Sequence, residues 1–497
     1  MTTTHADPVP DIAESQGTAA ASLQFGGLAL SVLLASIGTS SANVALPTLS
    51  AAFAVPFAAV QWVVLAYLLA IVVLIVIAGA LSDGFGRRRV LMAGLILFAV
   101  GSAISGAAPS FALLVGARAI QGAGAAAMLA LALAFVSEVV PKERIGRVMG
   151  TMGAISAAGT AFGPALGGWL IASVGWPAVF LVNVPIAFAA LGLVARTLPR
   201  DAAAVAGTQT RFDAAGAVTL GLTLAAFCFA TTATAQAAIP LLVICAAGLA
   251  LLLRIESRAV VPVIPLALLR DPVLAQGLAL NALVSMVMMA TLVVGPFHLS
   301  RALGLDPPLT GMAMSAGPIV SALAGRPAGW LTDRFGPPAM TIGGLAAMTL
   351  GAALLAASPV ASGLAGYLVP LVVLTAGYAL LQASNNTAIM GSAQADRRGS
   401  VSGLLNLTRY IGLLAGASGA AAFFAMASGL AQDPSAGAAA VAYGTSLTFG
   451  AAAVATGTAV LVAAARWAGS PQHRKAGLRM LHRPDKALPL AARSKSG

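Results

Sequence analysis

The feature that most constrains this chain is a near-unbroken succession of apolar runs, each of about 20 residues and so long enough to cross a bilayer as a helix. Lipid offers no water to backbone N–H and C=O groups, so each run must satisfy them internally. Runs of this length fall at 25–47, 60–82, 89–108, 111–137, 147–172, 177–197, 213–233, 238–254, 274–297, 309–331, 338–357, 366–392, 401–427 and 440–465, fourteen in all. Only 8% of the 497 residues are charged, against about a quarter in a soluble domain, and burial in lipid accounts for the deficit. The reading is an all-α membrane protein with no soluble catalytic domain.

The distribution of basic residues tests the count, because Lys and Arg concentrate on the cytoplasmic loops. Arg87, Arg88 and Arg89 follow the second run, Lys142, Arg144 and Arg147 the fourth, and Arg196, Arg200 and Arg211 the sixth. Arg254, Arg258 and Arg270 follow the eighth, Arg334 the tenth, Arg397 and Arg398 the twelfth, and a basic tail the last. On the other side only Arg301 remains. This places an even number of spans in the membrane with both termini cytoplasmic, in the bacterial inner membrane. The net charge of +12 resides in short loops rather than on a folded basic face, which excludes nucleic acid as a partner. Residues 1–24 contain Asp7, Asp11 and Glu14 but no Lys or Arg, so they lack the basic start of a signal peptide and read as a disordered cytoplasmic tail. The tail 468–497 reads as a topology signal or as a contact for anionic lipid headgroups. Cys228 and Cys245 sit in apolar runs as small hydrophobes, neither disulfide nor metal ligand.

An internal repeat divides the chain. Gly79-Ala-Leu-Ser-Asp83-Gly-Phe-Gly86 recurs as Gly329-Trp-Leu-Thr-Asp333-Arg-Phe-Gly336, 250 residues later. Two parallel six-helix halves are expected, 25–200 and 261–467, with two additional spans at 201–260 accounting for the excess offset.

These motifs resemble the Major Facilitator Superfamily, specifically its fourteen-span drug:proton antiporter group, over residues 25 to 465. The resemblance rests first on Gly79-x-Leu-x-Asp83-x-x-Gly86-Arg87-Arg88-Arg89 and its second copy with Asp333, Arg334 and Gly336. It rests next on Arg118-Ala-Ile-Gln121-Gly122 in the fourth span, and on Gly159-x-x-x-Gly163-Pro164-x-x-Gly167-Gly168 in the fifth. Asn43-Val-Ala-Leu-Pro47, Gln61-Trp62 through Tyr67, Phe180 through Pro185, and Asn385-Asn386 follow in the same order. The resemblance implies the major facilitator fold and a secondary transporter, exporting drugs or metabolites by alternating access. It implies gating by the two loop motifs, coupling or substrate contact by Arg118, and antiport through the glycine–proline helix-bend motif. Physically, Asp83 is placed to meet a helix N-terminus and pair with arginines, and the glycines of the fifth span permit close helix approach where Pro164 bends the helix.

One position departs from the group. Its members carry an aspartate in the first span, five residues before the asparagine of Asn-Val-Ala-Leu-Pro; here that residue is Gly38. None of the fifteen carboxylates lies near the middle of a span. That leaves Asp83, Glu138 and His298 as candidate proton carriers, all near surfaces. Arg118, without an acid at its depth, is expected to be satisfied by the amides of Asn43 and Gln121 or by an anionic group on the cargo. The substrate cavity is expected to use Gln61, Trp62, Tyr67, Asn281, Met286, Met288, Met289, Gln382, Asn385 and Asn386, because bare amides in lipid are costly and methionines adapt to varied apolar ligands. No nucleotide-binding loop, metal-ligand spacing or nucleophile elbow is present, so no enzyme activity, metal or cofactor is expected. The expected partners are a small-molecule substrate, membrane lipids and protons as coupling ion, with the chain acting as a monomer. Two other readings stay open: an uncoupled facilitator or exchanger of an anionic metabolite, and a non-transporting membrane sensor or scaffold.

Overall fold

The computed structural model describes residues 12–139, 145–199, 201, 213–259, 262–394, 398–430 and 436–468, all helix, turn or loop. Fourteen long helices result, α1 (Ile12–Ala52), α2 (Phe57–Phe85), α3 (Arg87–Gly106), α4 (Phe111–Val139), α5 (Ile145–Ser173) and α6 (Pro177–Thr197) forming the first half. A pair follows, α7 (Ala214–Thr232) and α8 (Ala235–Glu256). The second half comprises α9 (Pro272–Ala302), α10 (Pro307–Phe335), α11 (Pro337–Ala357), α12 (Gly363–Ser392), α13 (Ser400–Ala427) and α14 (Ala438–Ala468).

Thirteen of these helices are long and apolar enough to cross a membrane. The other is α10, which has the length, 29 residues, but is diluted by small and polar residues and by Pro318 and Pro327. Such a composition suits packing against protein more than exposure to lipid, and α10 packs along α5. The first helix begins at Ile12, within the stretch expected to be a tail; residues 1–11 and 469–497 lie outside the described residues.

The two halves are built alike. In the first, α3 packs on α4, α2 on α4, α1 on α5 and α3 on α6; in the second, α11 packs on α12, α10 on α12, α9 on α13 and α11 on α14. The repeat reappears at matching points of the backbone. Gly86 ends α2 at φ 96° and Gly336 ends α10 at φ 84°, both in the left-handed region that glycine enters without a Cβ clash. A Cβ on Gly101 would come 2.5 Å from the backbone nitrogen of Gln121, and one on Gly351 would come 2.5 Å from that of Leu374. These glycines set how closely α3 meets α4 and α11 meets α12.

The extra pair, central in sequence, is peripheral in space. The Trp62 ring of α2 packs against Phe229 of α7 at 4.4 Å between centroids, and its Nε1 donates to Thr232 Oγ1 at 3.2 Å. From the other half, a Cβ on Gly419 of α13 would lie 3.7 Å from the Phe227 ring. Helix α7 thus covers the seam between α2 and α13, while α8 leans on α7 and exposes Ile239, Val243 and Ile244.

Candidate functional site

Where the halves face each other they enclose a cavity of about 200 Å³. Helices α1 and α5 contribute Ser36, Thr39, Ser156 and Thr160; α9 and α10 contribute Met288, Met289, Thr291 and Met314; α12 and α13 contribute Tyr367, Tyr378, Arg409 and Tyr410. A second cavity of about 630 Å³ shares Gly153, Ser156, Arg409 and Tyr410 with the first and continues past Leu407 and Gly79 to Pro262 and Ser400, at the Arg-rich end of the bundle. At the opposite end the halves touch. The Phe57 ring of α2 lies 4.6 Å from Phe297 of α9 and 5.3 Å from Phe424 of α13, between centroids.

The helix-bend motif closes that same end. Gly159 and Gly167 face α1, where an added Cβ would come 2.8 Å from the Leu33 carbonyl oxygen and 3.1 Å from that of Ser41; Gly163 would meet Ser40 Oγ. Gly168 turns to the other half. A Cβ there would strike the Pro307 carbonyl, and one on Gly311 would strike the Pro164 carbonyl, so the two glycines make a reciprocal contact between halves. Pro164 lacks an N–H and its ring disturbs the helical bonding around it. The next amide, Ala165 N–H, donates to Ser315 Oγ of α10 at 3.0 Å.

Arg118 is fully buried and its partners are neutral. Its Nε donates to the Val63 carbonyl at 2.8 Å, one terminal nitrogen to Gln121 Oε1 at 2.5 Å, and the other to the Gly38 carbonyl at 3.0 Å. Gln121 passes the chain on to Ser102 Oγ at 2.8 Å. The Tyr67 ring covers the guanidinium at 4.2 Å, and its hydroxyl donates to the Ala35 carbonyl at 2.9 Å. The expected partner Gln121 is therefore in place, whereas Asn43 is not: its Nδ2 donates to the Thr39 carbonyl one turn back, at 2.8 Å. The space of the missing acid is filled, since a Cβ on Gly38 would lie 3.1 Å from both the Tyr67 hydroxyl and the Phe98 ring. Arg118 lines neither cavity, and its bonds form a knot that ties α1, α2, α3 and α4 together.

The loop motif is anchored differently from the expectation too. Asp83 and Asp333 are exposed at the ends of α2 and α10. The N-terminus of α3 is capped by Asp201, whose carboxylate accepts from the backbone N–H groups of Arg88 at 2.9 Å and Arg89 at 3.0 Å. The Arg88 side chain donates to the Ala195 carbonyl at 2.5 Å. In the repeat, α11 opens with Pro337 and Pro338, which have no N–H to satisfy, so fewer first-turn amides need a cap. Arg334 lies over the Trp330 and Phe335 rings at 5.3 and 5.6 Å.

Of the other residues read as cavity candidates, Met288 and Met289 line the central space, and Gln61, Trp62, Tyr67, Asn281, Met286, Gln382, Asn385 and Asn386 line neither cavity. The amides staple helices together. Asn281 Nδ2 donates to the Leu405 carbonyl at 2.7 Å and to Thr408 Oγ1 at 3.0 Å, and Asn385 Nδ2 to the Gly277 carbonyl at 2.9 Å. Gln382 Nε2 donates to the Tyr378 hydroxyl at 2.9 Å. Gln61 is buried with both side-chain polar atoms unpartnered, Met286 is half-buried, and Asn386 is exposed. His298 stacks on Tyr367 with 5.8 Å between centroids, and the side chain of Glu138 lies outside the described residues.

Sequence reasoning missed Arg409. Its signal was present, a lone arginine well inside the thirteenth apolar run, twelve residues past Arg397.

Comparison with known proteins agrees with this architecture. The family model described as Major Facilitator Superfamily matches residues 28–417. The chain is 35% identical over 382 residues to the Multidrug resistance protein Stp of Mycobacterium tuberculosis, covering 74% of this chain and 70% of that protein. It is 26% identical over 399 residues to the Riboflavin transporter RibZ of Clostridioides difficile, covering 80% of this chain and 87% of that protein. Among solved structures, a bacterial homologue of the human lysosomal transporter Spinster matches in fold, with a TM-score of 0.65, 15% identity, and coverage of 89% of this chain and 96% of that one.

Proposed function

Because the chain belongs to the Major Facilitator Superfamily and is a multi-pass membrane transporter, we propose that it exports small amphipathic molecules, drugs or metabolites, across the inner membrane by alternating access. The observation that carries this reading is the cavity between the halves, closed by aromatic and glycine contacts at one end and continuing to the Arg-rich end at the other. With the Arg-rich end cytoplasmic, as the positive-inside rule requires, the cavity is presented to cargo inside the cell. Rocking of one half against the other then exchanges the contacts at Phe57 and Gly168 for contacts at the two loop motifs, and the cargo faces outward. The mixed wall of methionine, tyrosine and hydroxyl side chains suits molecules with an apolar body and a few polar groups. The names of Stp and RibZ, which speak of multidrug resistance and of riboflavin, support that range.

Proton antiport is the coupling this reading favours. The competing reading, an uncoupled exchanger of an anionic metabolite, draws on one observation: among the described residues no Asp or Glu lines either cavity, and Arg118 is held by neutral acceptors. Proteoliposomes separate the two. Under antiport, an imposed pH gradient drives cargo against its own concentration gradient; flux that follows only the cargo gradient and ignores the pH gradient overturns coupling. No flux of any tested cargo under either gradient overturns transport itself.

A further inference from the structure

Two arginines sit deep within this bundle, and the fold treats them in opposite ways. Arg118 has three oxygen acceptors within 3.0 Å and a tyrosine ring over its face. Arg409 of α13 lines both cavities, and its Nε is buried with no hydrogen-bond partner. Among the described residues no carboxylate shares either cavity with it. Arg409 as a whole is half-buried, so its charge borders the cavities while its Nε lacks an acceptor, and an acceptor that enters relieves the cost of a charge held away from water.

The surroundings specify what kind of acceptor fits. Tyr378 and Tyr410 share the central cavity with Arg409, and the Tyr378 oxygen already accepts from Gln382 Nε2, which leaves its O–H proton to donate. Across the cavity the Ser36 and Ser156 hydroxyls are paired at 2.8 Å. The rest of the wall includes Met288, Met289 and Leu413. Two tyrosines and a fixed positive charge thus share one cavity wall with an apolar contact area. Resting on the reading of this cavity as the cargo site, we infer that the cargo carries an anionic oxygen group, carboxylate, phosphate or sulfonate, which docks on Arg409 while an aromatic body packs on Met288 and Met289. A planar guanidinium meets such groups through two parallel N–H donors, a geometry that a lysine ammonium does not reproduce.

The test is equilibrium binding to the purified full-length protein in detergent, by calorimetry, with probes that share one ring system. Naphthoate, naphthyl phosphate and naphthalenesulfonate are compared with the uncharged naphthamide and the cationic naphthylmethylammonium. At least one anion binds the wild type about tenfold or more tighter than the amide, and the order among the three identifies the anionic group. Arg409→Gln brings the anions down to the level of the amide; Arg409→Lys keeps part of the anion preference. The inference is overturned if amide or cation binds the wild type as tightly as every anion, if no anion binds, or if the preference survives in Arg409→Gln. The wild-type comparison decides even if the glutamine variant fails to fold. Uptake into everted vesicles is measured in parallel. An anion that binds through Arg409 without being moved defeats the transport reading alone; movement of the amide with no advantage for any anion defeats the anion site alone.

Discussion

Arg118 and Arg409 show that the environment of a side chain, more than its type, decides what it does. Removing the first leaves the Gln121 oxygen unpartnered in a dry interior and takes a second hydrogen bond from the helical carbonyls of Val63 and Gly38, and a buried group left without a partner costs about 1–3 kcal/mol. Arg118→Met is therefore expected to lower stability in detergent by about 3 kcal/mol, read as a drop in the thermal unfolding midpoint, while the ranking of anionic over neutral ligands persists in protein that remains folded. An unshifted midpoint would contradict the knot described above. The pairing of Arg118 with Gln121 was legible in the sequence, because residues three apart share a helix face. The lid of Tyr67 was not, since it comes from another helix. Arg409 escaped notice for a related reason: a single charge a few turns beyond the basic pair Arg397 and Arg398 merges with a topology signal when charges are counted by loop. The sequence also said that Asn281 and Asn385 need partners. It could not say whether those partners are cargo or neighbouring backbone, and the carbonyls that satisfy them, Leu405 and Gly277, lie more than a hundred residues away along the chain.

At the scale of helices, the same problem at a helix N-terminus is solved twice. Helix α3 has its first amides met by Asp201, and α11 begins with two prolines that present none. Asp201→Ala is expected to destabilise the start of α3 by about 1 kcal/mol, as loss of a side-chain cap does, with Asp201→Asn costing less because it keeps an acceptor. Hydrogen exchange at the amides of Arg88 and Arg89 reads the effect locally, and unchanged protection in Asp201→Ala would refute the cap. The loop repeat itself was plain in the sequence, and it located both glycine turns. The capping acid was assigned to Asp83 because it stands within the motif, whereas the residue that reaches the amides arrives from the far end of α6. The glycine pairs Gly101 with Gly351 and Gly94 with Gly344 obey the same 250-residue offset; they went unread because isolated glycines in apolar runs carry little signal until the facing helix is known.

For the molecule as a whole, the alternation of basic loops and the offset of the repeat were enough to give fourteen helices and two like halves. The run 309–331 reads as one of the fourteen apolar spans; the helix is there, but it falls short of the others in hydropathy, which follows from the surface it shares with α5. What the sequence left open was how far apart the halves stand. That is set where Gly168 meets Gly311, and the consequence is measurable. With Cys228 and Cys245 replaced and spin labels placed at Val174 and Leu309, both exposed beside this contact, Gly168→Leu is expected to lengthen the distance between labels and to slow transport; an unchanged distance would show that the contact does not hold the end shut.

The reciprocity of that contact also bears on how this transporter can change over generations. Each glycine leaves room for a backbone carbonyl of the opposite half, and no alteration of a side chain elsewhere can move a carbonyl aside. Positions 168 and 311 are therefore costly to change singly, while the walls around Met288, Ser156 and Tyr378 are side chains that can be exchanged one at a time. Laboratory selection for altered cargo should accumulate changes at the walls and leave the glycine pair untouched, so that new specificities arise on an unaltered closure.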